Sequence, residues 1–145
     1  MLVSLENEYK PGTNTYIIDK ITKATISDVS DPKLKELVKK HMMHTSCMNC
    51  KKGETPVCYV GDKCKRKFPK MQSDRTTSLE DGFPKYKRLT NEDCYVVPYN
   101  PYLLLKYDCH INVEVSSGLK VVKYLYKYIT KGSTLAEIKT KPTNN

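Results

Sequence analysis

The chain has 145 residues, a length that suits one domain, and its mean hydropathy of -0.59 limits that domain to a modest core. No apolar run approaches the roughly 18 residues that are needed to span a bilayer. Residues 1–6 lack the basic region of a signal peptide and soon turn acidic. We therefore expect an intracellular protein that is neither secreted nor inserted into a membrane.

The formal net charge of +9 is unevenly spread along the chain. Residues 33–70 hold eleven basic and three acidic residues, and residues 119–141 hold six basic residues and one acidic residue. Basic blocks interleaved with Tyr and Phe are typical of proteins that bind a phosphate backbone and unstacked bases. This pattern predicts binding to DNA, especially single-stranded DNA, and the alternative is an ordinary solvated surface. The candidate nucleic-acid contacts are Lys65, Arg66, Lys67, Lys123, Lys127 and Lys131.

The first half of the chain predicts a loose start, a strand and a helix. Residues 1–14 show no periodicity and are expected to be a loose lead-in, while residues 16–21 and 25–26 are expected to form one strand or two short ones. Asp31 followed by Pro32 is a typical helix start. Apolar residues at three- and four-residue steps then predict an amphipathic helix, in which His41 is a packed side chain rather than a ligand.

Four cysteines form a C-x2-C-x7-C-x5-C pattern that follows His41 and His44. Without a secretory context, clustered cysteines favour a metal site over disulfides. C-x2-C spacing lets two thiolates reach one tetrahedral ion, so we expect a structural zinc within a Cys-rich insertion at residues 41–70. The alternative is a set of loop cysteines without metal. The cysteines are Cys47, Cys50, Cys58 and Cys64.

The second half predicts a hairpin or loop at 71–94, strand at Tyr86 and at residues 95–97, and a short helix from Asn100–Pro101 to Tyr107. Residues 109–115 alternate strictly between apolar and polar, which predicts a strand. The apolar face holds Cys109, Ile111, Val113 and Val115, and the polar face holds His110, Asn112 and Glu114. A turn at 116–118 then precedes a helix that ends before Gly132, and residues 134–145 are expected to be a flexible tail. The core-facing stripe of this helix comprises Leu119, Val122, Leu125, Tyr126 and Ile129.

Two tyrosines of that last helix, Tyr124 and Tyr128, are four residues apart and therefore share one face. A phenol can attack a phosphodiester, and a neighbouring lysine can stabilise the phosphate. The pair is therefore a candidate set of nucleophiles for a two-tyrosine strand-transfer enzyme. The alternative is that these rings only pack on a sheet.

Residues 96–114 and 122–132, with residues 31–70, resemble the replication-initiator region of Helitron transposon proteins. The resemblance covers roughly residues 16–133. It implies a nuclear, rolling-circle endonuclease fused to a DNA helicase, with the α+β fold and antiparallel sheet of those endonucleases, here incomplete. It also implies that Tyr124 and Tyr128 are the catalytic tyrosines. The implied zinc ligands are His44, Cys47, Cys58 and Cys64; Cys50 departs from that pattern, and an all-cysteine site that uses it stays open.

Two parts of that family are missing from the sequence. The three histidines form no His-hydrophobic-His metal motif, and there is no phosphate-binding G-x-x-x-x-G-K-[ST] loop. We therefore expect a partial initiator domain at residues 15–133 that binds DNA without cutting it. Its partner would be the rest of the parent polypeptide, which would also hold the catalytic magnesium or manganese. A metal site overlooked in this chain would be sought first at His110 and Glu114. The alternatives are a non-catalytic nucleic-acid-binding module that zinc stabilises, a decayed transposon copy, and an RNA-binding zinc ribbon.

Overall fold

The computed structural model describes residues 10, 14–49, 55–77, 83–116, 123 and 126. Its helices are α1 (Thr15–Ile21), α2 (Pro32–His41), α3 (Thr45–Met48) and α4 (Pro101–Tyr107), with a 3-10 helix at Asp93–Tyr95. Strands β1 (Tyr59–Val60) and β2 (Lys63–Cys64) form an antiparallel hairpin. This mixture confirms the α+β class. The larger antiparallel sheet of the rolling-circle endonucleases stays a prediction, because the sheet among the described residues has two strands.

Helices α2 and α4 begin where the sequence predicts. The Asp31 carboxylate accepts hydrogen bonds from the backbone N–H groups of Lys33 and Leu34, and the Asn100 side chain accepts one from Leu103. Each cap satisfies N–H groups that have no partner within the helix. The two helices pack against each other. Their buried residues are Leu34, Leu37, Val38 and Leu104.

The strand predicted at residues 16–21 is wrong, because these residues form α1. Asn14 caps this helix by accepting hydrogen bonds from Tyr16 and Ile17, and Ile18 is buried. The β-branched residues favour a strand only weakly, and the cap together with burial of Ile18 outweighs that preference.

A buried Asp93 joins residues 26–27 to residues 89–90. Its carboxylate accepts backbone hydrogen bonds from Ile26, Ser27, Leu89 and Thr90, and another from the Ser27 hydroxyl. Arg88, also buried, donates to the backbone carbonyls of Ala24, Asp93 and Val96. These contacts satisfy polar groups inside the core that would otherwise be costly to bury.

The predicted loop or hairpin at residues 71–94 contains two antiparallel bridges, Ser73 with Arg88 and Thr77 with Lys85. Residues 95–97 are not the expected strand, since the 3-10 helix ends at Tyr95 and Val96 makes a single bridge to Met43. Near this point the backbone of Val97 donates to the carbonyl of Met42. The segment that leads to α4 therefore lies against the end of α2.

Residues 109–115 form no ladder with the other described residues, so the predicted strand is wrong. The predicted alternation holds from Ile111 to Val115, whose odd-numbered side chains are half-buried and whose even-numbered ones are exposed. Cys109 is exposed, contrary to its predicted place on the apolar face. The Val113 N–H donates to the carbonyl of Pro98 and the Val115 N–H to the Tyr86 hydroxyl, which fixes the segment against the body.

Of the predicted tyrosine helix, the structure describes Lys123 and Tyr126, and both are helical. Tyr126 is 66% exposed, so its expected place on the core-facing stripe is wrong. Tyr124, Tyr128, Lys127 and Lys131 lie outside the described residues, as do almost all of the predicted lead-in and the whole of the predicted tail.

Candidate metal centre and adjoining groove

Four side chains converge near the end of α2. The ligand atoms of His44, Cys47, Cys58 and Cys64 all lie within 4.8 Å of one another. Cys47 Sγ and Cys58 Sγ are 3.1 Å apart, and Cys64 Sγ is 3.4 Å from His44 Nε2. The first distance is much longer than a disulfide bond of about 2.05 Å, so these two sulfurs belong to free thiols.

Short elements on both sides of an undescribed gap supply these ligands. His44 is the N-cap residue of α3 and Cys47 lies inside that helix. Cys58 directly precedes β1, and Cys64 ends β2, where it pairs with Tyr59. The hairpin therefore brings Cys58 and Cys64 together, and the Lys65 N–H donates to the carbonyl of Cys58.

The cluster is continuous with the hydrophobic core. The His44 N–H donates to the carbonyl of Tyr95, and the His44 ring stacks on Phe68 with 4.4 Å between the ring centroids. Phe68 and Cys64 are both buried in the main core, against which Cys47 and Cys58 also pack. Ligand positions are thus held by packing as well as by the short elements.

Two of the shifted pKa values in the cluster favour metal binding, and a third opposes it. Burial, with the positive charges of Arg66 and Lys70, lowers the pKa of His44, which favours the neutral imidazole that binds metals. Burial alone would raise the pKa of Cys64, but N–H groups of Phe68 and Arg66 outweigh it and lower the pKa to about 7. Burial and the neighbouring thiols raise the pKa of Cys47 to about 12, so that thiol would lose its proton on binding a metal.

The four residues fit a tetrahedral ion of the zinc type. Three sulfurs and one imidazole nitrogen form a Cys3His set, which is a common structural zinc combination. The set could therefore hold a metal ion, and it is the one group of this kind among the residues that the structure describes. It coincides with the ligands that the resemblance implies, whereas Cys50 lies outside the described residues.

A groove of about 1000 Å³ lies beside the cluster. It brings two predicted groups together, because Arg66 and Lys67 line it along with His110, Asn112 and Glu114. Sequence reasoning missed Lys85 and Phe83 as lining residues. No periodic signal marks either one, and pairing of Lys85 with Thr77 places them there. The third basic residue predicted in this region, Lys65, is exposed but does not line the groove.

His110 is held by the end of α2. Its Nδ1 donates to the carbonyl of His41 at 2.6 Å, and His41 Nε2 in turn lies 2.7 Å from an Asp108 carboxylate oxygen. Asp108 also pairs with Lys40. His41 is thus half-buried, with its ring against Asp108 rather than packed in the core as predicted, and it does not belong to the Cys/His cluster. Among the described residues, His110 and Glu114 form no metal cluster.

Comparisons with protein-family models, with curated proteins and with solved structures found no match to this chain. Among the described residues, no helix has both the length and the apolar character that crossing a membrane requires.

Proposed function

We propose that this chain is a zinc-stabilised, single-strand-binding part of a Helitron-type replication initiator, active in the nucleus. The observation that carries the proposal is the convergence of His44, Cys47, Cys58 and Cys64 within 4.8 Å. These are the four positions that the sequence resemblance implies. The metal would be structural, because four protein ligands leave no open coordination position for a substrate.

The binding role is supported by the residues that follow the last candidate ligand. Arg66 and Lys67 are exposed and line the groove, and the Arg66 N–H lies 3.4 Å from Cys64 Sγ. An ion at the cluster would therefore fix the backbone that presents these cations. Cations held in place attract phosphates at a smaller entropy cost than cations on a loose loop.

The catalytic role concerns the complete parent protein. There, the oxygen of Tyr124 or Tyr128 would attack the scissile phosphorus while the bond from phosphorus to the 3′ oxygen breaks. The tyrosine proton is lost, the 3′ oxygen leaves as a hydroxyl after gaining a proton, and a 5′-phosphotyrosyl link remains. Two nucleophiles on one helix face would let the enzyme hold one strand while a second is cut.

A non-catalytic nucleic-acid-binding module is the second candidate. It is favoured by the fact that the Cys3His cluster and the basic groove lie together in the described residues, independently of the two tyrosines. The two candidates share the binding step and differ in whether the tyrosines react.

Titration of a fluorescent single-stranded oligonucleotide at several salt concentrations tests the binding step. We expect the affinity to fall steeply with salt, with a logarithmic slope of about -0.7 for each phosphate contacted. Duplex DNA of the same length is the control and should bind more weakly. A nearly flat salt dependence, or no binding at low salt, would contradict the proposal.

A further inference from the structure

We infer that the groove beside the metal centre is the path of the single strand. Phosphates would lie against Arg66, Lys67 and Lys85, and unstacked bases against Phe83 and Met71. This inference rests on the proposed function, since it locates the strand that the proposal says is bound.

The charge of the groove is strongly one-sided. The basic residues that line it are Arg66, Lys67, Lys70, Lys85 and Arg88, whereas Glu114 is the one acidic lining residue in the part of the chain that the structure describes. Arg88 is buried, and its guanidinium donates hydrogen bonds to backbone carbonyls. Lys70 Nζ donates to the carbonyl of Arg66. Three cations are left, and among the described residues no carboxylate forms an ion pair with any of them. A polyanion is therefore the complementary occupant.

Apolar side chains lie in the same groove as these cations. Met71 is 74% exposed and Phe83 is 39% exposed, although both line a concave surface. Duplex DNA keeps its bases stacked inside and would leave these side chains uncovered. A single strand offers base faces that stack on aromatic rings, and this combination of cations with apolar platforms is how single strands are bound without sequence preference. A peptide of acidic residues alone would meet the cations but has no flat ring to stack on Phe83.

The segment that carries Arg66 and Lys67 is in contact with the metal cluster. Phe68, which also lines the groove, stacks on His44, and the Lys67 N–H donates to the carbonyl of Cys64. Lys67 adopts a left-handed backbone conformation with φ of 56°, which a bulky residue keeps only where its surroundings hold it. Metal occupancy should therefore determine whether Arg66 and Lys67 are in place to bind phosphate.

The test compares two charge-matched double variants of the zinc-loaded protein. Arg66→Gln with Lys85→Gln removes two groove cations, and Lys20→Gln with Lys106→Gln removes two exposed cations elsewhere, each of which lies over a tyrosine ring. We expect the groove variant to bind oligo(dT) at least tenfold more weakly and to lose about 1.4 from the logarithmic salt slope, which corresponds to two phosphate contacts. The control should keep its slope. Equal losses in both variants, while the wild type still binds steeply, would overturn the groove assignment and leave the proposed function standing.

Two further measurements probe the bases and the type of ligand. Phe83→Leu keeps an apolar side chain but removes the ring, and we expect roughly fivefold weaker binding. Oligonucleotides that carry iodouracil should cross-link to the wild-type protein at residues 66–71 or 83–86, and cross-links confined to other segments would overturn the inference. A polyglutamate peptide that competes as well as oligo(dT) at equal charge would show that the groove binds acidic peptides instead.

Discussion

Asp93 is fully buried, and its carboxylate accepts five hydrogen bonds. Asp93→Ala would leave four backbone N–H groups and a hydroxyl without their acceptor, and we expect a loss of about 3 kcal/mol or more in the free energy of unfolding. The neighbouring Glu92 is exposed, so Glu92→Gln is the matched control and should change stability by less than about 0.5 kcal/mol. Urea denaturation measures both values.

The same residue predicts how stability depends on pH. Burial alone would raise the pKa of Asp93, but hydrogen bonds from Ile26 and Ser27 outweigh it and hold the pKa below its usual value. A lowered pKa in the folded state means that the stabilisation is complete above the unfolded-state pKa of about 3.9 and is lost as pH falls through the folded value. The wild type and Asp93→Asn should therefore converge in stability at acidic pH. A constant difference down to pH 2 would show that the charge of this carboxylate is not what matters.

At the scale of elements, α3 and the β1–β2 hairpin together should define the zinc ligands. We expect one zinc per chain, and we expect His44→Gln to lose it to a chelator roughly tenfold faster or more, because the Cys3His set then lacks one ligand. Cys50→Ser is the matched control and should keep the metal. Zinc release measured with a chromogenic chelator checks the rates, and cobalt spectra distinguish three sulfur ligands from four. If Cys50→Ser loses zinc and His44→Gln retains it, the all-cysteine site is correct.

How much of the structure could be predicted also differs from element to element. The starts of α2 and α4 were predictable, because Asp31–Pro32 and Asn100–Pro101 act locally through their own side chains. Helix α1 was not, since its β-branched residues carry the opposite preference and burial of Ile18 decides the outcome. The Cys-rich segment could be identified as a candidate metal site from its cysteine pattern, whereas Cys58 and Cys64 as ligands were implied by the resemblance. The groove depends on the distant pairing of residues 73–77 with 85–88. Long-range pairing of this kind leaves no periodic signal in a single sequence.

At the scale of the whole molecule, DNA cleavage should be lost in variants that still bind DNA. In the parent protein that we propose, Tyr124→Phe or Tyr128→Phe would remove the hydroxyl of a proposed nucleophile but keep the ring, so strand transfer should fall by roughly 10³-fold or more while DNA binding persists. Tyr126→Phe is the control within the same segment, because residue 126 projects from a different side of the helix. Trapping of a covalent protein–DNA adduct on a denaturing gel measures the reaction. We expect the 145-residue chain alone to bind but not to cut, and nicking by it with magnesium or manganese would mean that a catalytic metal site at His110 and Glu114 has to be sought.

The hydrogen bonds that Asp93, Tyr99 and Asn100 make to residues 21–27 also bear on how the chain is made. Each of them joins groups that lie 66 to 79 positions apart in the chain. During synthesis the N-terminal residues leave the ribosome first. The N–H groups of Ile26 and Ser27 therefore have no acceptor until residue 93 has left the exit tunnel, several seconds later at about 5–20 residues per second. Until then, Leu34 and Val38 of α2 also lack their core neighbours Val96 and Leu104. The unfinished chain should therefore be prone to aggregation until residues 93–104 are available to complete the core.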